Sequence, residues 1–414
     1  MSTTDQLTED ESRSPYRWVV LGGVWLIYFA FGLTIASMAP LIAPITRDLG
    51  ISHSAMGAVL GAWPLVYIAS AIPSGQLLDR AGARLSLFIA ALILALSCIL
   101  RGVADDFFTL FLAVGLFGIG GPLISIGAPK LISANFQGSE RGLAMGIYIT
   151  GPALGGVIAL SLTNSVLMPL FENDWRSVLF TYAAVVILIG AVWGVLSQTP
   201  AFADRDTADH TEAQKPGWQV FLDLGRVREI QILLLMSIGI FFYNHGLNNW
   251  LPEILRSHGL SAADAGYWAA IPTATGVIAS LAIPRFAIPE NRIKILFALI
   301  CAALIGVLML RSSFSPFLLS GLILQGFARG TMLTVAMLIL MDSDAVGNKN
   351  AGSAGGLFFS AAEIGGVLGP LSIGVIHDAT GGFSTALTVL TGVAIMLILL
   401  LDRLRLALDK PKAQ

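Results

Sequence analysis

An all-α polytopic membrane protein, with twelve transmembrane helices in two pseudo-symmetric six-helix bundles, is the fold class this sequence predicts. Three observations carry the expectation. First, the 414 residues are 55% hydrophobic and only 12% charged, where a soluble chain carries about 25% charged residues, and the mean hydropathy is +0.79. Second, the charges fall between long, continuous apolar runs rather than over them. Third, those runs divide six and six around one long polar stretch. Runs without alternation exclude a strand-based barrel. The composition also excludes a soluble enzyme and a disordered scaffold, and a net charge of −2 offers no basic face to nucleic acid.

The elements follow in order. Residues 1–15 form a polar, acid-rich tail (Asp5, Glu9, Asp10, Glu11) with no basic region ahead of the first apolar stretch, unlike a secretory signal. Crossing about 30 Å of hydrocarbon takes about 20 apolar residues. Such runs lie near 16–41, 55–78, 84–101, 108–133, 142–167 and 177–197, giving an N-terminal bundle over 16–197. A central loop, 198–229, contains Asp204, Arg205, Asp206, Asp209 and Lys215. Runs near 230–252, 264–284, 292–310, 316–341, 351–376 and 383–402 give a C-terminal bundle over 230–402, and 403–414 is a tail. With both termini and the central loop in the cytoplasm, 18 Lys and Arg fall inside against five outside: Arg47, Arg101, Arg176, Arg256 and Arg311. The positive-inside rule therefore selects that orientation. Arg329 belongs to neither side, because it lies in the tenth span. Cys98 and Cys301 sit inside apolar runs and read as free core thiols, with no disulfide or metal site expected.

The halves repeat at a spacing near 209–210 residues. Gly146–Val157, containing Gly155 and Gly156, aligns gap-free with Gly356–Val367, containing Gly365 and Gly366. Gly50-Ile51-Ser52 with Gly57 aligns with Gly259-Leu260-Ser261 and Gly266, and Ile68-Ala69-Ser70 with Ile278-Ala279-Ser280. Small residues at helical spacing let helices approach closely in lipid. Paired repeats with a site between them are how many secondary transporters are built, and no phosphate-binding loop suggests an ATP-driven motor.

After the second span stands Gly75-Gln-Leu-Leu-Asp79-Arg80-Ala-Gly82-Ala-Arg84. It resembles the G-x-L-x-D-R-x-G-x-R loop of the major facilitator superfamily, and Gly-Pro-x-x-Gly-Gly in the fifth span resembles that superfamily's fifth-helix motif. The resemblance implies a gating role for Gly75, Asp79, Arg80, Gly82 and Arg84. Gly75 would permit tight helix packing, and Asp79 would sit at a helix N-terminus or pair with arginine. The second-half counterpart, Ile283–Glu290, has lost the Gly and Asp pattern. An arginine that many members carry in the fourth span is absent here, with Phe111 and Val114 near its place.

A charge inside a span costs about 2.5–3.5 kcal/mol on insertion scales and is a functional hypothesis by default. Arg329 is such a charge, with Gln325 one turn away and Glu363 at similar depth on the eleventh span. Two readings stand: a structural Arg329–Glu363 ion pair, or an anion-binding arginine beside a carboxylate that takes up a proton. The seventh span carries Tyr243-Asn-His245-Gly-Leu-Asn-Asn249-Trp250-Leu-Pro252, which resembles the W-L-P region of cyanate-type and related anion permeases. His245 and Asn249 share a helix face, and imidazole titrates near physiological pH. Tyr28 and Tyr148 offer phenol donors, against a plain packing role. Lys130 is read as a snorkelling lysine or a functional cation.

The resulting expectation is a transporter, not an enzyme, of the inner or plasma membrane, working by alternating access without cofactor or metal. Its partners would be a small-molecule substrate, protons and membrane lipid, with no nucleic acid, and it would be a monomer. Proton-coupled symport of a small organic or inorganic anion is the leading mechanism; drug or metabolite efflux by proton antiport and anion exchange are the alternatives. Substrate-binding candidates are Arg329, Gln325, His245, Asn249, Tyr28 and Tyr148, with Glu363 and His245 for the proton.

Overall fold

The computed structural model describes residues 16–198 and 218–408. The expected tails 1–15 and 409–414, and central-loop residues 199–217, lie outside the described residues. Twelve apolar helices span the described chain: α1 (Tyr16–Leu49), α2 (53–81), α3 (83–102), α4 (Phe107–Asn135), α5 (Glu140–Leu170), α6 (Trp175–Leu196), α7 (Arg228–Ser257), α8 (Ala262–Phe286), α9 (Arg292–Met309), α10 (Ser315–Met341), α11 (Asn350–Thr380) and α12 (Ser384–Leu408). A short helix, Trp218–Arg226, precedes α7. The face holding Tyr16 and Leu408 is called the terminal face below, and the opposite one the far face.

Local chemistry sets the breaks. The helices α2 and α3 are separated by Gly82, at φ 77° and ψ 164°, a conformation open to glycine and strained for other residues. The first helix was expected to stop at 41. It loosens there, around Pro40, and then continues to Leu49 before Gly50 ends it in the left-handed region. The extension carries Asp48, which is satisfied by Arg176 and by the Trp175 indole at 3.2 Å. At the other end α12 runs to Leu408, six residues beyond the expected span, with Leu401 and Leu404 still buried. Asp106 caps α4 in a reciprocal box with Thr109, satisfying two otherwise orphaned N–H groups.

The repeat is visible as packing. Against the first helix of its half, a Cβ on Gly155 would lie 2.2 Å from Phe29 O, and one on Gly365 1.9 Å from Ile238 O. Similarly, Gly118 abuts Trp63 O at 2.4 Å and Gly326 abuts Pro272 O at 2.6 Å. These are equivalent pairs: α1–α5 matches α7–α11, and α2–α4 matches α8–α10. No side chain fits at such distances, so glycine permits backbone-to-backbone contact where lipid supplies no hydrophobic drive.

The two halves meet through α2 with α11 and α5 with α8, and their close approaches gather at the far face. A Cβ on Gly57 would lie 2.5 Å from Pro370 O, on Gly374 2.2 Å from His53 O, and on Gly266 2.3 Å from Leu160 O. Toward the terminal face Gly75, Gly142, Gly352 and Gly356 meet nothing within 4 Å, and Gly146 meets only the tip of Leu281 at 3.7 Å. Among the described residues the halves are thus pressed together at the far face and parted at the terminal face.

Candidate functional site

Between the halves lies a cavity of about 350 Å³. One wall is α5, through Ile149 and Ala153, and the other is the C-terminal half: Asn244, His245 and Asn248 of α7, Pro272, Thr273, Gly276 and Ser280 of α8, and Arg329 and Gly330 of α10. Small residues shape it. A Cβ on Gly330 would lie 2.5 Å from Gly276 O, so α8 and α10 touch directly while the longer Arg329 reaches the cavity.

Arg329 is the only Lys or Arg among the lining residues. Its Nη2 donates to Asn248 Oδ1 at 2.5 Å. Among the described residues its Nε and Nη1 are buried without a hydrogen-bond partner, as is Asn244 Oδ1. Buried polar groups are almost always partnered, and a guanidinium is a fixed fork of donors matched to carboxylate geometry. Two residues that line the cavity thus carry unpartnered polar atoms, two cationic donors on Arg329 and an amide oxygen on Asn244. Asn244, His245 and Asn248 occupy one face of α7 at i, i+1 and i+4 spacing.

His245 is clamped between aromatic rings, stacked on Phe241 of its own helix at 4.9 Å and on Trp63 of α2, in the other half, at 5.3 Å. Glu363 lies close by. A Cβ on Gly366 would meet Glu363 Oε2 at 2.7 Å and His245 Nδ1 at 3.0 Å. Glu363 is 5% exposed, and its Oε2 has no hydrogen-bond partner among the described residues. No Arg329–Glu363 ion pair exists among the described residues; Arg329 turns to Asn248 instead.

Other expected positions fall elsewhere. Gln325 is fully buried away from the cavity, donating to Tyr243 Oη at 2.5 Å and Ala303 O at 3.1 Å. It faces α9 and Tyr243 instead, about 40° round α10 from Arg329. Asn249 is also turned away: its Nδ2 bonds back to His245 O at 2.8 Å, one residue and about 100° round the helix from Asn248. Tyr28 and Tyr148 come together, rings 5.2 Å apart, in an aromatic wall of the N-terminal half that continues to Phe31, Phe117 and Trp63.

In the motif loop, Asp79 pairs with Lys130 Nζ of α4 at 3.1 Å, rather than with an arginine. It stands in the last turn of α2, not at a helix N-terminus. Gly75 packs against nothing because the terminal face is parted. Arg80 is exposed, and Arg84 lies just beyond the Gly82 break, where its carbonyl accepts from Trp193. Arg101, counted above among outer loop charges, is instead 1% exposed. Its Nη1 donates to Thr34 O at 3.1 Å, beside the break in α1, and its guanidinium faces the Phe117 ring. A long side chain near the end of α3 can reach inward as readily as outward. Cys98, at 3.7 Å from Thr34 Oγ1, is a buried free thiol and Cys301 a half-buried one.

The sequence profile of the Major Facilitator Superfamily matches residues 24–370. This chain belongs to that superfamily. It is 26% identical over 399 residues to the hexuronate transporter of Bacillus subtilis (strain 168), covering 91% of this chain and 92% of that protein. It is 27% identical over 396 residues to the 2-nitroimidazole transporter of Escherichia coli (strain K12), covering 93% and 94%. Among solved structures, the fold is shared with a bacterial homolog of the human lysosomal transporter Spinster, in an inward-facing and occupied conformation, at a TM-score of 0.71 and 19% identity over 95% of this chain and 97% of that one. The chain is a multi-pass membrane protein of a family of solute transporters.

Proposed function

We propose that this protein moves a small organic anion across the membrane by alternating access, coupled to protons. The carrying observation is that Arg329, the one Lys or Arg among the described residues that line the cavity, keeps two donors, Nε and Nη1, without a hydrogen-bond partner. A carboxylate placed there would accept two charge-assisted hydrogen bonds from Nε and Nη1, while Asn248 holds the third corner of the fork. A hydroxyl group on the same ligand would find Asn244 Oδ1 as an acceptor. The transport of a hexuronate by a relative at 26% identity favours this chemistry. Glu363 and His245, flanking Gly366 between the cavity and α2, are the groups through which a proton would enter the cycle. Because the sequence assigns 18 of the 24 Lys and Arg to the side of the termini and central loop, the terminal face would be cytoplasmic, the membrane the inner or plasma membrane, and the parted state described above inward-open.

One observation favours a second reading: the aromatic wall around Tyr28, Tyr148 and Trp63, together with a relative that transports 2-nitroimidazole, suits efflux of planar heterocycles. Uptake into proteoliposomes separates the two. A hexuronate should accumulate under an inwardly directed proton gradient, and Arg329→Ala should abolish accumulation while the protein remains monodisperse. Gradient-driven movement of 2-nitroimidazole but not of hexuronate, indifferent to Arg329→Ala, would decide for the second reading.

A further inference from the structure

We infer that His53, His377 and Asp378 form a binding site for a divalent transition cation of the zinc class, bridging the two halves at the far face. The residues come from opposite halves: His53 opens α2, while His377 and Asp378 lie in the last turn of α11. Nothing in their sequence separation brings them together; the α2–α11 contact does. His53 Nδ1 lies 3.2 Å from Asp378 Oδ1 and His377 Nδ1 3.9 Å from the same oxygen, and the imidazole rings are 3.7 Å apart. One ligand atom from each residue fits within 4.8 Å of the others. Tetrahedral zinc with ligands at about 2.0–2.2 Å places its donors about 3.4 Å apart, so modest side-chain rotation completes the set.

Two further features fit an ion. Among the described residues His377 Nδ1 is buried with no hydrogen-bond partner, its nearest acceptor being Asp378 Oδ1 at 3.9 Å. Asp378 is already fixed, accepting from His53 N at 3.1 Å and Ser54 N at 2.7 Å, which orients the carboxylate as outer-shell hydrogen bonds do in metal sites. Phe383 and Trp250 wall the cluster on one side. The three residues are between one-fifth and one-third exposed, leaving an entry path and room for water as a fourth ligand. Two imidazoles and one carboxylate select borderline ions over Mg²⁺ or Ca²⁺. Because the donors sit on both halves, a bound ion ties the far-face ends of α2 and α11 together.

The test is titration of the purified full-length protein, free of any histidine tag, with Zn²⁺ in competition with a chromogenic chelator. One ion per chain is expected, with His53→Ala and His377→Ala each weakening binding at least tenfold although they lie in different halves. His53→Gln and His377→Gln replace the alanine forms if those do not purify as single species. Mg²⁺ at the same concentration should not compete. Unchanged Zn²⁺ affinity in either histidine variant, or equal competition by Mg²⁺, overturns the assignment.

Discussion

Removing the Asp378 carboxylate should open the far face. Asp378 accepts two backbone hydrogen bonds, from His53 N at 3.1 Å and Ser54 N at 2.7 Å, at the start of α2 in the other half. Each is charge-assisted, a class worth about 1.5–3 kcal/mol when well formed, and the carboxylate also faces the positive end of the α2 dipole. The side chain is 30% exposed, which argues for the low end of that range. The two bonds together then contribute about 3 kcal/mol to the far-face-closed arrangement, equivalent to roughly a 100-fold shift in its ratio to the open one. Asp378→Ala removes both bonds; Asp378→Asn keeps one neutral acceptor and should recover part of the effect. Spin labels at Asp105→Cys and Ser313→Cys, on far-face loops of opposite halves, report the separation when Cys98 and Cys301 are replaced. Wild-type protein should give one short-distance population, and Asp378→Ala a second, longer one. If Asp378→Ala leaves the distance distribution unchanged, these contacts do not hold the far face shut.

Arg329→Lys keeps the charge but replaces the planar fork with a compact ammonium. Losing one charge-assisted hydrogen bond, about 1.5–3 kcal/mol, should weaken carboxylate binding by roughly 10- to 150-fold, measured by calorimetry; an unchanged Kd would remove the fork from the account. Glu363→Gln preserves volume but cannot titrate, so gradient-driven uptake should fall at least tenfold while substrate counterflow persists; loss of both activities together would point to a packing role. In Asp106, outside the spans, the Thr109 backbone N–H holds the carboxyl below the usual carboxylate range. Its stabilising contribution is present above the unfolded-state pKa and is lost as pH falls through the folded one. Asp106→Ala should therefore lower Tm slightly at neutral pH and converge with wild type under strongly acidic conditions, and a constant difference at every pH would contradict this.

The spans and the repeat were legible because both are local, periodic properties. Apolar runs announce themselves by length, and glycines such as Gly155 and Gly365 recur at a fixed offset because the same helix pair is built twice. The cavity was less legible. Arg329 and His245 could be singled out as charge and imidazole in apolar runs, but side-chain direction turns by about 100° per residue. That step sends Asn248 to the cavity and Asn249 back to its own helix, while Gln325, one turn before Arg329, bonds Tyr243. The amide face formed by Asn244 and Asn248 had a signal, their i, i+4 spacing on the seventh span. Side-chain contacts between helices carried no sequence signal, whether within one half or across the two. Lys130 on Asp79, Arg101 on the carbonyl of Thr34, and the His53–His377–Asp378 cluster each depend on helices far apart in the chain.

The central claim, that Arg329 receives an anionic ligand, is tested most directly by comparing one ligand in two charge states. A hexuronate and its uncharged carboxamide differ in little but the carboxylate, so equilibrium binding of each to wild type and Arg329→Ala isolates the charge. The account predicts that wild type binds the acid at least tenfold more tightly than the amide, and that Arg329→Ala brings the two together at the weaker affinity. Equal binding of acid and amide by wild type, or preference for the acid surviving in Arg329→Ala, would contradict it.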